Sequence, residues 1–180
     1  MPSKLPPELT PELRTRRRDL AAQATGRTLD LGGWDDHADA YRDDADVTRL
    51  DRLENLDGVV GEFDTIISMI RTPLVADFDG FIADLISHLG PEGRVLLLEP
   101  TVRSGRAGQL LALGGRLSKP VIGLHLDRDI PARIRRVGLF VTDLHRFEVA
   151  SVSAPFRPFV EAHCRRPTRQ AVSDLEPDLS

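Results

Sequence analysis

A short apolar segment that breaks on two consecutive glycines constrains the fold of this chain most strongly. It has the sequence RTLDLGGWDD and spans residues 27–36. Leu29 and Leu31 supply the bulk of a buried strand, whereas Gly32 and Gly33 let the backbone turn sharply and come close to a ligand, because they lack a Cβ. In a parallel α/β sheet, ligands bind just beyond the carboxyl ends of the strands. The segment therefore predicts a first strand that opens a ligand site.

The rest of the chain carries the pattern of an α/β protein. The segment FDTIISMI is apolar on both faces, as a central parallel strand requires. Helices are predicted by apolar residues at helical spacing and by capping residues such as Thr10 and Asp77. Two predicted helices span residues 11–26 and 78–89, and a third begins at Asp127 or Asp129 and ends at Gly138. The other predicted strands span residues 45–50, 63–70, 94–99, 139–149 and 159–165.

Three segments resemble the class I S-adenosylmethionine-dependent methyltransferases. LDLGG is similar to the first motif of that family, an acidic residue within a strand followed by a glycine-rich turn, but Trp34 and Asp35 replace its further small residues. HLGPEGRVLLLEP is similar to a helix, turn and strand found in the family. GLHLDRDIPARIRRVGLF resembles the corresponding region of small-molecule methyltransferases of the ubiquinone/menaquinone-biosynthesis and thiol-methylating type. The resemblance covers residues 26–167.

This resemblance implies a Rossmann-like three-layer α/β sandwich with an antiparallel strand pair at its C-terminal edge. Only eleven residues separate Asp51 from Phe63, where the family fits a helix, a third strand and a loop that contacts adenine. We therefore expect a sheet trimmed by about one βα unit. A competing alignment places residues 45–56 on the third strand and loses the second strand instead.

S-adenosylmethionine is the cofactor that the resemblance implies. Asp30, Gly32 and Gly33 would receive its methionine end, and Ser68 and Met69 would face its methyl group. Met69 could instead belong to the core. A dinucleotide fits the turn less well, because GGWDDH lacks the third glycine that packs helix on strand in dinucleotide-binding proteins.

An acidic residue after the second strand is the candidate for the ribose contact. Asp51 follows Gly32 by nineteen positions, close to the roughly twenty-residue spacing at which a carboxylate meets a ribose in βαβ units. The family uses an acidic residue in this place to hold the ribose hydroxyls. Glu54 is the second candidate, and both acids could equally be solvent-facing loop charges.

The acceptor side is predicted from two further regions. Arg71 follows the strand that ends at the reacting centre, and Phe156 and Arg157 lie in the proline-containing connection that borders the acceptor site in the family. Aromatic residues between prolines are equally often a packed corner. Methyl transfer by direct displacement asks mainly for alignment of donor and acceptor, so the catalytic residues stay unassigned; His125 and His145 are the candidates for a base.

Composition excludes several other classes of protein. The formal net charge is −4, which gives no general attraction to nucleic acid or anionic membrane. The arginines at positions 14, 16, 17 and 18 are therefore expected to form a solvated helix face. A single cysteine, Cys164, excludes an intramolecular disulfide and fits a reducing cytoplasm. The five histidines are scattered, so no metal site is expected, and no apolar run is long enough to span a bilayer.

The expected organisation is one domain over residues 12–167, between a flexible arm (residues 1–11) and a disordered acidic tail (residues 168–180). Two functions remain open. The first is methyl transfer from S-adenosylmethionine to a small or lipophilic acceptor. The second is a non-catalytic, methyltransferase-like partner or regulatory subunit, because the glycine turn is degenerate and a βα unit is missing. A trimmed sheet also predicts an exposed edge that a homodimer or another partner chain covers.

Overall fold

The described part of the chain forms one six-stranded sheet with helices on both faces. The computed structural model describes residues 10–33, 36–102, 125, 128–150 and 157–166. Its strands are β1 (Gly26–Asp30), β2 (Ala45–Arg49), β3 (Phe63–Met69), β4 (Leu89–Pro100), β5 (Phe140–Glu148) and β6 (Pro158–Arg165). Its helices are α1 (Pro11–Ala21), α2 (Phe78–Ser87) and α3 (Ile130–Arg136). None of the helices in this part of the chain is long and apolar enough to cross a membrane.

The six strands are arranged in the order β2-β1-β3-β4-β6-β5. β1 pairs in parallel with β2 and β3, and β3 pairs in parallel with β4, whereas β6 is antiparallel to β4 and β5. The predicted Rossmann-like sheet with an antiparallel pair at one edge is therefore confirmed. β2 lies at the other edge and is joined to β3 by the 3₁₀ helix Leu53–Gly58. Since the second strand of a doubly wound sheet neighbours the first, the alignment that loses the third strand fits better.

Helices cover the central strands on both faces. On one face, Leu13 and Leu20 of α1 belong to the same core cluster as Ile67 of β3. On the opposite face, α2 and α3 pack on a second cluster that includes Ile66 and Val95. Alternate residues of a strand point to opposite faces, so the consecutive apolar residues of β3 and β4 are buried on both sides. This sandwich fixes the carboxyl ends of β1, β3 and β4 along one edge.

Local capping signals place most helix ends correctly. Thr10 Oγ1 accepts a hydrogen bond from Leu13 N at 3.3 Å, and Asp129 Oδ1 accepts one from Ala132 N at 3.3 Å. The prediction that α1 reaches Gly26 was wrong, because α1 ends at Ala21 and Gly26 begins β1 with φ +65°. A Cβ at Gly26 would collide with the carboxylate of Asp64, so its small size serves the sheet.

The arginine run on α1 is only partly a solvated face, since Arg14 is exposed but Arg17 is buried. Arg17 is 1 % exposed, and its Nε donates to Asp36 Oδ1 at 2.9 Å. Arg18 donates through Nη2 to Asp39 Oδ2 at 3.1 Å. The prediction failed in part because the acidic residues after the glycine turn fold back under α1. The arginines therefore clamp the loop that follows β1, which contains the 3₁₀ helix Ala38–Ala40.

Candidate functional site

Asp30 anchors the turn at the end of β1. It is almost fully buried; its Oδ1 accepts a hydrogen bond from Gly32 N at 2.9 Å, and its Oδ2 lies 3.1 Å from His37 Nε2 and 3.3 Å from Arg49 Nε. Burial alone would raise the pKa of this carboxyl, but the bonds from His37 and Gly32 outweigh burial and lower it. The ionised carboxylate thus shapes the turn, and its oxygens already contact groups of the protein.

The two glycines of the turn have different neighbours. Gly32 has φ +70° and Gly33 has φ +98°, a region of backbone conformation that favours glycine. A Cβ at Gly32 would overlap the carbonyl oxygen of Leu50, which follows β2. A Cβ at Gly33 would collide with the guanidinium of Arg71, which follows β3. The group close to each glycine is therefore the protein's own, the Leu50 backbone at Gly32 and the Arg71 side chain at Gly33, and the predicted close approach of a ligand stays a prediction.

The structure brings the candidate ribose residue beside this turn. Leu50 N donates to Asp30 O at 2.8 Å, and the next residue, Asp51, is exposed at the same edge. Glu54 is also exposed; it lines a cavity of about 600 Å³ together with Arg27 of β1 and Phe63 of β3, and its charge acts on Arg71. The order of preference, Asp51 before Glu54, stays a prediction.

The two residues of β3 that were predicted to contact the cofactor, Ser68 and Met69, are buried inside the protein. Ser68 is fully buried and donates from Oγ to Glu99 Oε1 at 2.6 Å. Met69 is also buried and belongs to the core cluster under α1. Their side chains therefore offer no exposed surface to a ligand, and the predicted cofactor contacts of these two residues remain without support from the geometry.

Glu99 is a residue of the site that the sequence analysis missed. It is fully buried at the end of β4 and, besides the bond from Ser68, accepts hydrogen bonds from Arg71 N at 3.1 Å, Thr72 N at 3.1 Å and Thr72 Oγ1 at 2.8 Å. Burial raises the pKa of this carboxyl, against the opposing effect of the hydrogen bonds from Ser68 and Thr72. The sequence feature that could have indicated Glu99 is its position as the single acidic residue at the end of the apolar run RVLLLE. Glu99 ties the carboxyl ends of β3 and β4 together.

A second cavity, of about 470 Å³, opens at the carboxyl end of β4. Thr101 and Phe159 contribute to its lining, and Phe159 stacks on Phe147 with ring centroids 5.8 Å apart. The exposed Arg157 lies beside it, its carbonyl accepting a hydrogen bond from Val149 N at 2.9 Å. Phe156, the other predicted acceptor contact, lies outside the described residues. The cavity occupies the same edge of the sheet as the glycine turn.

The two candidate bases occupy different places. His125 donates from its backbone N to Pro73 O at 2.8 Å, near the end of β3. His145 lies on the edge strand β5, four strands from β1, which corresponds to roughly 19 Å at the usual strand spacing. His145 is therefore remote from the glycine turn. Among the described residues, no group of three or more His, Cys, Asp or Glu side chains could hold a metal ion.

Comparisons with known proteins give a result at the level of structure. No protein-family model matches the sequence, and no curated protein matches it. Solved structures do match. A proposed methyltransferase from Bacillus halodurans C-125 aligns with a TM-score of 0.62 at 13 % identity, covering 86 % of this chain and 99 % of the other. A methyltransferase from Geobacter sulfurreducens, in complex with S-adenosyl-L-homocysteine, aligns with a TM-score of 0.55 at 15 % identity, covering 88 % and 92 %.

A third match was solved as a complex. It is a proposed methyltransferase from Haloferax volcanii bound to the Trm112 methyltransferase activator, with a TM-score of 0.53 at 14 % identity, covering 86 % of this chain and 90 % of the other. Some matching proteins are longer, since the chain covers only 56 % of TnmH. At such identities the likeness concerns the fold. The sheet order, the glycine turn at the end of β1 and these structural matches agree: the chain has the Rossmann-like fold of the class I S-adenosylmethionine-dependent methyltransferases.

Proposed function

We propose that this protein is an S-adenosylmethionine-dependent methyltransferase that acts on a small or lipophilic acceptor. The observation that carries the proposal is the grouping of Gly33, Asp51 and Arg71 beside the end of β1, with a cavity of about 470 Å³ along the same edge of the sheet. Ligands of parallel α/β sheets bind at this edge. The cavity beside β4 is the proposed place of the acceptor.

The residues around the turn fit the cofactor in three respects. Gly33 is exposed and carries no Cβ, Asp51 presents an exposed carboxylate, and Arg71 presents a guanidinium over the turn. Bound S-adenosylmethionine supplies an electrophilic methyl group on a sulfonium. In this proposal Asp51 accepts hydrogen bonds from the ribose hydroxyls, and Asp30 keeps the turn in shape. Ser68 and Met69 support the end of β3 from within the protein.

Binding of S-adenosylhomocysteine tests the proposal and its ribose assignment together. We expect the wild-type protein to bind this demethylated product of the cofactor in calorimetry, and Asp51→Asn to weaken binding about 10- to 100-fold, because charge-assisted hydrogen bonds are worth roughly 1.5–3 kcal/mol. Glu54→Gln should have a smaller effect, and Asp57→Asn, a change at another exposed acid of the same segment, serves as the control. A larger effect of Glu54→Gln than of Asp51→Asn would contradict the ribose assignment.

A second candidate function is that of a non-catalytic, methyltransferase-like partner or regulatory subunit. It is favoured by the fact that the protein itself occupies the space beside Gly32 and the oxygens of Asp30. The match to a Haloferax protein in complex with a methyltransferase activator is compatible with such a role. A melting temperature that does not respond to millimolar S-adenosylmethionine or S-adenosylhomocysteine would favour this candidate over the enzyme.

A further inference from the structure

Arg71 is a buried cation without an ion-pair partner. The residue is 9 % exposed, and its buried Nε has no hydrogen-bond partner. Among the described residues, none forms a salt bridge with its guanidinium. Burial lowers the pKa of Arg71, although an arginine stays charged at neutral pH. A buried, unpaired charge is costly, and buried charges in proteins are normally paired.

The backbone around Arg71 is held in an unusual conformation. Ile70 has φ +58°, which is rare for a β-branched residue and is maintained only when the surroundings impose it. Here the surroundings are clear: Glu99 accepts hydrogen bonds from Arg71 N and Thr72 N. This arrangement directs the Arg71 side chain toward β1, so that its Cζ would lie 3.1 Å from a Cβ built on Gly33. The guanidinium therefore lies directly over the exposed side of the turn.

The acidic residues nearby do not neutralise this guanidinium by contact. Glu99, Asp30 and Glu54 act on Arg71 only through their electrostatic fields. The oxygens of Glu99 already accept four hydrogen bonds from Ser68, Arg71 N and Thr72. Those of Asp30 contact Gly32, His37 and Arg49. The free edge of the guanidinium is thus available for an anion that comes from outside the chain.

We propose that Arg71 is the carboxylate receptor of this site and that it binds the α-carboxylate of the amino-acid part of the cofactor beside Gly33. Guanidinium and carboxylate match in a planar, two-bond geometry that an ammonium group cannot reproduce. The inference rests on the proposed function and gives Arg71 a cofactor role in place of the acceptor role that the sequence indicated. The same chemistry would also suit a carboxylate carried by the acceptor, and the experiment separates the two sources.

Two ligands that differ in the amino-acid part provide the test. S-adenosylhomocysteine carries the carboxylate, whereas 5′-methylthioadenosine lacks the whole amino-acid part. In calorimetry, Arg71→Met should weaken the binding of S-adenosylhomocysteine about 10- to 100-fold and leave the affinity for 5′-methylthioadenosine unchanged. Arg71→Lys, which keeps the charge but loses the two-bond geometry, should give an intermediate loss. Arg136→Met, at an exposed arginine of α3, should change neither affinity.

A second arm uses benzoate and its neutral analogue benzamide in thermal melts of the wild type, Arg71→Met and Arg71→Lys. If Arg71→Met leaves S-adenosylhomocysteine binding intact but abolishes stabilisation by benzoate, the carboxylate comes from the acceptor. If the wild type binds neither nucleoside, the proposed function fails, and the benzoate arm still decides the role of Arg71. The proposal would be overturned if Arg71→Met weakened the binding of both nucleosides equally. It would also be overturned if neither nucleoside binding nor stabilisation by benzoate depended on Arg71. Circular dichroism of both variants establishes that they are folded.

Discussion

At the residue scale, Gly32 shows how a glycine that suggests a ligand can be required by the protein's own backbone. Its φ is +70°, and a Cβ there would overlap the carbonyl oxygen of Leu50. We predict that Gly32→Ala lowers the free energy of unfolding by about 2–4 kcal/mol, because it adds a strained φ to a steric displacement of the end of β2. Urea denaturation without ligand measures this loss.

Gly58→Ala is the matched control for this substitution. Gly58 also follows β2, but a Cβ there would have no atom within 4 Å. Its replacement should change stability by no more than about 0.5 kcal/mol. Equal effects of the two substitutions would show that the space at Gly32 is not restricted by Leu50, and the glycine would then be explained by ligand binding alone.

At the element scale, α1 holds the loop after β1 through the ion pair of Arg17 and Asp36. Burial would raise the pKa of Asp36, but the hydrogen bond from Arg17 outweighs it, so the pKa is lowered. Because the pKa of Asp36 is lower in the folded state than in the unfolded state, the ion pair stabilises the protein at pH values above the unfolded-state pKa. This stabilisation is lost as the pH falls through the folded-state pKa. Acid should therefore release the loop from α1.

Asp36→Asn tests this clamp. We expect it to lower the free energy of unfolding by about 2 kcal/mol at pH 7, as for a hydrogen bond to a charged group. The difference from the wild type should begin to shrink below the usual carboxyl pKa of about 3.9, where the unfolded state becomes protonated, and should vanish below the lower folded-state pKa of the paired carboxylate. Urea denaturation at pH 7, 5 and 3.5 measures it, with Asp57→Asn as the exposed control. A difference that is independent of pH would show that Asp36 acts by packing and not by charge.

The elements differ in how far their sequence predicts them. FDTIISMI and RVLLLE were recognisable as strands, since their consecutive apolar residues need burial on both faces. Thr10 and Asp129 were recognisable as caps because capping depends on residues three positions away. Gly26 was misassigned, because a glycine after a helical pattern also suits the start of a strand, and its contact with Asp64 is distant in sequence.

The candidate site was predictable in its position but not in its contacts. Asp30, Gly33 and Arg71 each end or follow a strand, so a parallel sheet brings them to one edge. The partners of Arg17 and Glu99 depend on pairs separated by 19 and 31 residues, for which a single sequence gives no signal. The orientation of Arg71 depends on the φ of Ile70 and on Glu99, and neither follows from local propensity.

At the scale of the whole molecule, the missing βα unit leaves β2 as an edge strand. Each residue of β2 is half-buried or exposed, whereas the central strand β3 is largely buried. Val60, on the segment after β2, is 85 % exposed and borders the cavity of about 600 Å³ on this side of the sheet. Exposed strand edges with apolar neighbours favour pairing with another chain. We therefore predict a homodimer formed through the β2 side.

Light scattering at micromolar concentration should give the mass of a dimer for the wild type and of a monomer for Val60→Lys, because the lysine would have to bury an unpaired charge in an apolar interface. Phe140→Lys is the matched control, since Phe140 is 59 % exposed on β5 at the opposite edge. Lysine there leaves a dimer through β2 intact. A monomeric wild type would contradict the prediction, and dissociation by Phe140→Lys alone would move the interface to β5. Since Val60 precedes the start of β3 and Arg71 follows its end, its substitution should separate assembly from ligand binding.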